Sequence, residues 1–248
     1  MEYVTALLQP ENLQPLFVVF FAAFVQAITG FGLVILAAPM LMLFFSAKET
    51  ILITLITAIC SNTLQTGLVY KDADVKLVRY LVLGAVAGLP IGLFFYHSFS
   101  NTMLKILISV AILAFLVISH WLRLHFQKTK KKSLITGVLS GFFYTTTGMG
   151  GIPLILYTTH MNMSPKMMRG TSILYFFFGN IFSCLAFYLS GTDFFYAGQQ
   201  VLYLLPGLFM GLGLGHIIFP YVPIVIFRRL VFVLLYIACF YSIYAALS

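Results

Sequence analysis

Two stretches decide the fold: FVQAITGFGLVILAAPML at residues 24–41 and GFFYTTTGMGGIPLILY at residues 141–157. Each belongs to a long apolar run interrupted by glycine. Inside a bilayer every backbone N–H and C=O needs a partner, so a glycine break is tolerated only where protein or a water-filled cavity surrounds it. The breaks at 29–32 and 147–151 therefore predict helices that stop and restart around a shared cavity.

The rest of the 248-residue chain fits that setting. Hydrophobic residues make up 61% of it and Asp, Glu, Lys and Arg only 8%, far below the charge that coats a soluble domain. A soluble globular enzyme is excluded. Apolar runs fall near 14–45, 50–70, 77–96, 102–122, 133–160, 167–189, 197–219 and 224–247, most of them long enough to cross a bilayer as a helix. The prediction is an all-α polytopic membrane protein of eight hydrophobic segments, a single transmembrane domain over 1–248. The net charge of +8 lies in short gaps between apolar runs, which reads as a topology signal and not as a nucleic-acid face. Cys60, Cys184 and Cys239 all lie inside apolar runs, so no disulfide framework or Cys-x-x-Cys metal site is expected. Glu2 and Glu11 near the start leave no positive region for a cleaved signal peptide.

Shifting the sequence by 118 residues lays one break on the other. Thr29, Gly30 and Gly32 fall on Thr147, Gly148 and Gly150, and Asn62 falls on Asn180. Phe24, Leu36, Ser46 and Lys48 likewise meet Phe142, Leu154, Ser164 and Lys166. After a five-residue insertion, Gly84, Gly88 and Gly92 meet Gly207, Gly211 and Gly215, a doubled small-residue pattern that permits close helix packing. We read two copies of a four-segment unit, 14–122 and 133–248, joined by a basic cytoplasmic loop at 123–132.

Charge placement bears on whether the first segment of each copy spans or re-enters. With eight full spans, the basic residues divide eight inside to six outside. If each broken segment returns to its starting side, Lys71, Lys76, Arg79, Arg123, Lys128, Lys130, Lys131, Lys132, Lys166, Arg169, Arg228 and Arg229 lie inside, and only Lys48 and Lys105 outside. Twelve to two obeys the positive-inside rule better. Three full spans per copy would then invert one copy relative to the other, a recurrent transporter design. Eight plain spans with glycine kinks are the alternative.

A helix that restarts inside a membrane points unpaired N–H groups and the positive end of its dipole at the cavity, which suits an anion. The candidate substrate-binding residues are Gln26, Thr29, Gly30, Phe31, Gly32, Asn62, Gln65, Thr146, Thr147, Gly148, Gly150, Gly151 and Asn180. The amides and hydroxyls donate to an anion without a fixed charge that would trap it. Glu2, Glu11, Glu49, Asp72, Asp74 and Asp193 all fall in terminal or loop positions, so no midplane carboxylate of the kind that couples protons or Na⁺ is predicted. No metal site, cofactor or catalytic group is expected. The partners expected are a small anion and the lipid bilayer.

The glycine-broken TGFGLVILAAPML, its partner TGMGGIPLIL, the Asn62 and Asn180 segments and the central basic loop together resemble the sulfite exporter TauE/SafE family over essentially the whole chain. The second half lacks a proline at the place of Pro39 and carries Pro153 earlier, so the two broken segments need not be equivalent. The resemblance implies a permease of the bacterial cytoplasmic, or inner, membrane for sulfite, sulfonates, related organosulfur compounds or carboxylates. Two rival readings are a proton-coupled importer, with the proton carried by the substrate or His216, and a membrane enzyme acting on a lipid.

Overall fold

The computed structural model describes residues 10–121, 128–159, 161 and 163–218, with positions 233, 236, 237, 239, 240 and 244. The described residues form nine α-helices and one short 3-10 turn, with no strand. In chain order they are α1 (Pro10–Thr29), α2 (Leu33–Leu41), α3 (Ala47–Val69), α4 (Val75–Ser98), α5 (Asn101–Trp121), α6 (Lys130–Thr147), α7 (Gly151–Thr159), α8 (Pro165–Leu189) and α9 (Phe195–Ile218). The first and fifth predicted segments are each two helices separated by a glycine break. The eighth, 224–247, and residues 123–127 of the central loop at 123–132 lie outside the described residues, apart from the isolated positions above.

Five of the helical stretches, Ala47–Asp72, Val75–Ser98, Asn101–Ile118, Lys166–Leu189 and Phe195–Ile218, are long and apolar enough to cross a membrane. The surface has the polarity of a membrane protein: Phe17, Phe94, Leu189, Phe195 and Ile217 are exposed, while Gln26, Asn62, Gln65 and Asn180 are buried.

Local chemistry sets the helix starts. Ser46 and Ser164 cap α3 and α8, each hydroxyl accepting from the N–H three residues on, Glu49 and Met167. Glu49 completes a capping box by accepting from the Ser46 N–H at 2.8 Å. Asp74 caps α4 through the Leu77 N–H, and Asp193 accepts from the Phe195 N–H at the start of α9. These three carboxylates are thus engaged at helix ends. Asp74 also pairs with Lys128. Partial burial works against its charge, but Lys128 and the Leu77 N–H outweigh it and hold the carboxyl below its ordinary range.

Contacts sort the helix ends into two groups. At one end the start of α3 meets the start of α5, Lys48 N–H donating to Asn101 Oδ1, and the Lys48 ammonium lies over Tyr96 near the end of α4. His97 and Ser190 bring the ends of α4 and α8 to the same place. At the other end the start of α4 meets α8 through Asp74 N–H and Thr171 Oγ1, Lys130 of α6 lies over Tyr80, and Arg169 of α8 meets His216 of α9.

The broken segments are placed by glycine faces. β-carbons built on Gly84, Gly88 and Gly92 of α4 would lie 2.2, 2.0 and 2.3 Å from the carbonyl oxygens of Leu134, Val138 and Phe142 in α6. On Gly207, Gly211 and Gly215 of α9 they would lie 2.6, 2.2 and 2.7 Å from those of Leu16, Phe20 and Phe24 in α1. Only glycine lets backbones approach so closely, as the small-residue pattern anticipates. The first segment of each half is therefore gripped by the third segment of the other half, α6 by α4 and α1 by α9, and each pair runs parallel.

It follows that α1 runs toward the basic end, where Gly30 meets Arg169, and α2 returns, because α3 begins at the opposite end. Likewise α6 leaves the basic end, Gly148 meets Ile51 and Thr54 in the first turns of α3, and α7 returns toward the start of α8. Ser133 and Tyr157, 3.3 Å apart, tie the two legs of this second hairpin together.

Candidate functional site

Glycine conformation makes each break. Gly30 and Gly32 carry φ of 81° and 116°, and Gly148 carries 73°, a left-handed region that side chains disfavour. Gly148 ends α6 with a Schellman-type turn in which the Met149 N–H donates to Phe143 O at 3.2 Å. No side chain caps α2 at Gly32. The first N–H to bond back into α2 is that of Leu36, to Gly32 O, so the N–H groups of Leu33, Val34 and Ile35 belong to the unsatisfied first turn.

Both breaks open on one cavity of about 30 Å³, the scale of one or a few water molecules. Its walls are Gln26, Gly32, Leu33, Val34, Ile35, Ala58 and Asn62 from the first half, and Tyr144, Gly148, Met149, Gly150, Gly151, Ile155, Phe176 and Asn180 from the second. None of these side chains is charged. Five pairs across the cavity stand 118 residues apart: Gln26 and Tyr144, Gly32 and Gly150, Leu33 and Gly151, Ala58 and Phe176, Asn62 and Asn180.

A hydrogen-bonded chain holds the first wall. Gln65 Nε2 donates to Ser61 Oγ at 3.0 Å, Ser61 donates to Gln26 Oε1 at 2.8 Å, and Gln26 Nε2 donates to Asn62 Oδ1 at 2.9 Å. With its carbonyl taken, Asn62 is left with its NH₂ as the group to offer. The second wall has no such chain. Tyr144 is 2% exposed and its hydroxyl has no hydrogen-bond partner, a state that costs about 1–3 kcal/mol for a buried polar group.

Of the thirteen residues singled out from the sequence, Gln26, Gly32, Asn62, Gly148, Gly150, Gly151 and Asn180 line the cavity. The other six stand behind or beside it. Thr29 bonds to Val25 O and Phe31 O, which shapes the first break. Gly30 packs against Arg169, Phe31 is half-buried against the core, and Gln65 supports Ser61. Thr146 donates to Phe142 O at 2.6 Å, and Thr147 donates to Phe143 O at 2.8 Å while accepting from Met149 N–H. The Thr147 hydroxyl is thus engaged with its own helix and turn, and that of Thr146 with its own helix and Gly92 O of α4.

The sequence reading missed Tyr144, Met149, Ile155 and Phe176, and with them Leu33, Val34, Ile35 and Ala58. Tyr144 had a findable signal, since the 118-residue shift lays it on Gln26. A search for identities passes over it because the two residues differ. Among the described residues no group of His, Cys, Asp and Glu is placed to hold a metal ion.

A family model described as sulfite exporter TauE/SafE matches residues 16–242. No curated protein and no solved structure matches the chain.

Proposed function

The chain belongs to the sulfite exporter TauE/SafE family, and from that premise we propose that it carries a small oxyanion across the cytoplasmic membrane by alternating access around the cavity. The substrate class is sulfite, a sulfonate or a related organosulfur or carboxylate compound. The observation that carries the reading is the single cavity into which both glycine breaks open. It has an uncapped helix start, two equivalent Asn residues and no charged side chain in its walls. Neutral donors and a helix N-terminus attract an anion without binding it so firmly that it cannot leave.

The two halves act as inverted copies. In support, each broken segment leaves and returns to one end of the bundle, and the two do so from opposite ends. Lys71, Lys76, Arg79, Lys128, Lys130, Lys131, Lys132, Lys166 and Arg169 sit toward one end, and Lys48 and Lys105 toward the other. The basic end faces the cytoplasm on this reading. Export then needs no coupling ion, because an anion leaving a negative interior gains about 2.3 kcal/mol per charge for each 100 mV. His216, the group that the rival reading of a proton-coupled importer calls on, lies against Arg169 at the basic end and outside the cavity wall.

Thermal stabilisation of purified protein across a panel of small anions tests the site. Sulfite or a short sulfonate is expected to raise the melting temperature, and Asn62→Ala and Asn180→Ala to weaken that response at least severalfold. A wild type that no anion stabilises, or variants that respond as fully as wild type, would sink the assignment.

A further inference from the structure

Tyr144 brings to the cavity wall a buried hydroxyl that the structure leaves without a partner. Its ring is accommodated by two glycines: a β-carbon on Gly150 would lie 2.1 Å from the ring, and one on Gly179 would lie 2.5 Å from the hydroxyl oxygen. The equivalent places in the first half are Gly32, where the nearest atom would be 3.6 Å away, and Ser61. Space has thus been cleared for this phenol in one half and not for a counterpart in the other. The side chain lines the cavity, is 2% exposed, and carries a hydroxyl with no partner within the protein.

We propose that the Tyr144 hydroxyl donates the hydrogen bond that orients the transported anion, and so selects ligands presenting an oxygen acceptor toward the Asn180 wall. Gln26, at the equivalent place opposite, is held by its neighbours, its oxygen accepting from Ser61 and one of its two N–H groups donating to Asn62, whereas the Tyr144 hydroxyl has no protein partner. The ligand is therefore held in one orientation inside a frame that is nearly two-fold. A neutral phenol suits a site that must release its anion, because it adds direction without adding charge. The inference rests on the reading of the cavity as an anion site.

The test is Tyr144→Phe in the full-length protein, reconstituted in liposomes with sulfite, methanesulfonate and acetate as probes. The expected result is a half-saturating sulfite concentration raised about tenfold, the effect of losing one hydrogen bond to a charged group. The maximal rate should stay within about twofold. The melting temperature of the ligand-free variant should not fall, because the hydroxyl removed had no protein partner. That last readout separates a ligand contact from a structural one. Wild-type transport with an unchanged half-saturating concentration in the variant overturns the role of Tyr144 and leaves the anion site standing. A lowered melting temperature and rate at unchanged half-saturation assigns Tyr144 to packing and overturns the proposal. A wild type that neither moves nor is stabilised by any of the three probes removes the anion site and this inference together.

Discussion

The two walls of the cavity share a frame and differ in what they leave free. On the first wall Gln26, Ser61, Asn62 and Gln65 bond to one another in a chain. On the second, the residues 118 positions later are Tyr144, Gly179, Asn180 and Ser183. There Ser183 turns its hydroxyl to Gly179 O at 2.7 Å, and Tyr144 remains without a partner. The first wall is tied together by these bonds, although the Gln65 carbonyl oxygen has no partner. The other keeps a buried donor in reserve, at a cost the protein bears until something accepts from it. Two walls built from positions 118 residues apart therefore differ in what they offer the cavity.

The sharpest attempt to break this comparison is Gly179→Ser, which writes the Ser61 residue into the second wall. Its side chain would enter the space of the Tyr144 ring, and we expect a loss of about 1–3 kcal/mol with no remaining response to anions. Adding Tyr144→Gln should recover most of the stability by recreating the Gln26–Ser61 bond. Melts of the single and double variants check this, and a single variant as stable as wild type would mean that the second wall has slack. A smaller effect separates the two asparagines. Asn62→Ala strands the Gln26 amide and should cost about 1–2 kcal/mol, whereas Asn180→Ala should change ligand-free stability by less than about 0.5 kcal/mol. Equal losses would show that the walls are wired alike. The smallest effect is expected for Gln65→Leu, which removes the bond to Ser61 along with a buried carbonyl oxygen that lacks a partner. The two changes offset, and melts should move by less than about 1 kcal/mol.

Those parts of the fold that depend on backbone permissiveness were legible in the sequence. Glycines at 30, 32 and 148 announced the breaks because few other residues tolerate such turns at membrane depth. Asn62 and Asn180 could be found because identity survives a shift of register. Thr146 and Thr147 could be placed beside the second break, but not the bonds of their hydroxyls to the preceding turn. Tyr144 stayed hidden for a different reason. Its role comes from the room left by Gly150 and Gly179, and that relation exists only once α6, α7 and α8 are packed. The exchange of helices between halves was equally out of reach, because the glycine faces of α4 and α9 state that something packs closely without naming it.

That exchange bears on how the protein is made. Leu16 leaves the ribosome long before Gly207, against which its backbone rests. Throughout most of synthesis α1 must wait in lipid with its interface uncovered, while α4, made early, waits for α6. The first half on its own lacks the grip on its broken helix, which forms only once α9 has been made. Contacts between distant parts of a chain close slowly, and here they are the contacts that hold both breaks in place. A chain cut within its central basic loop should yield a working protein only when both pieces are produced in the same membrane.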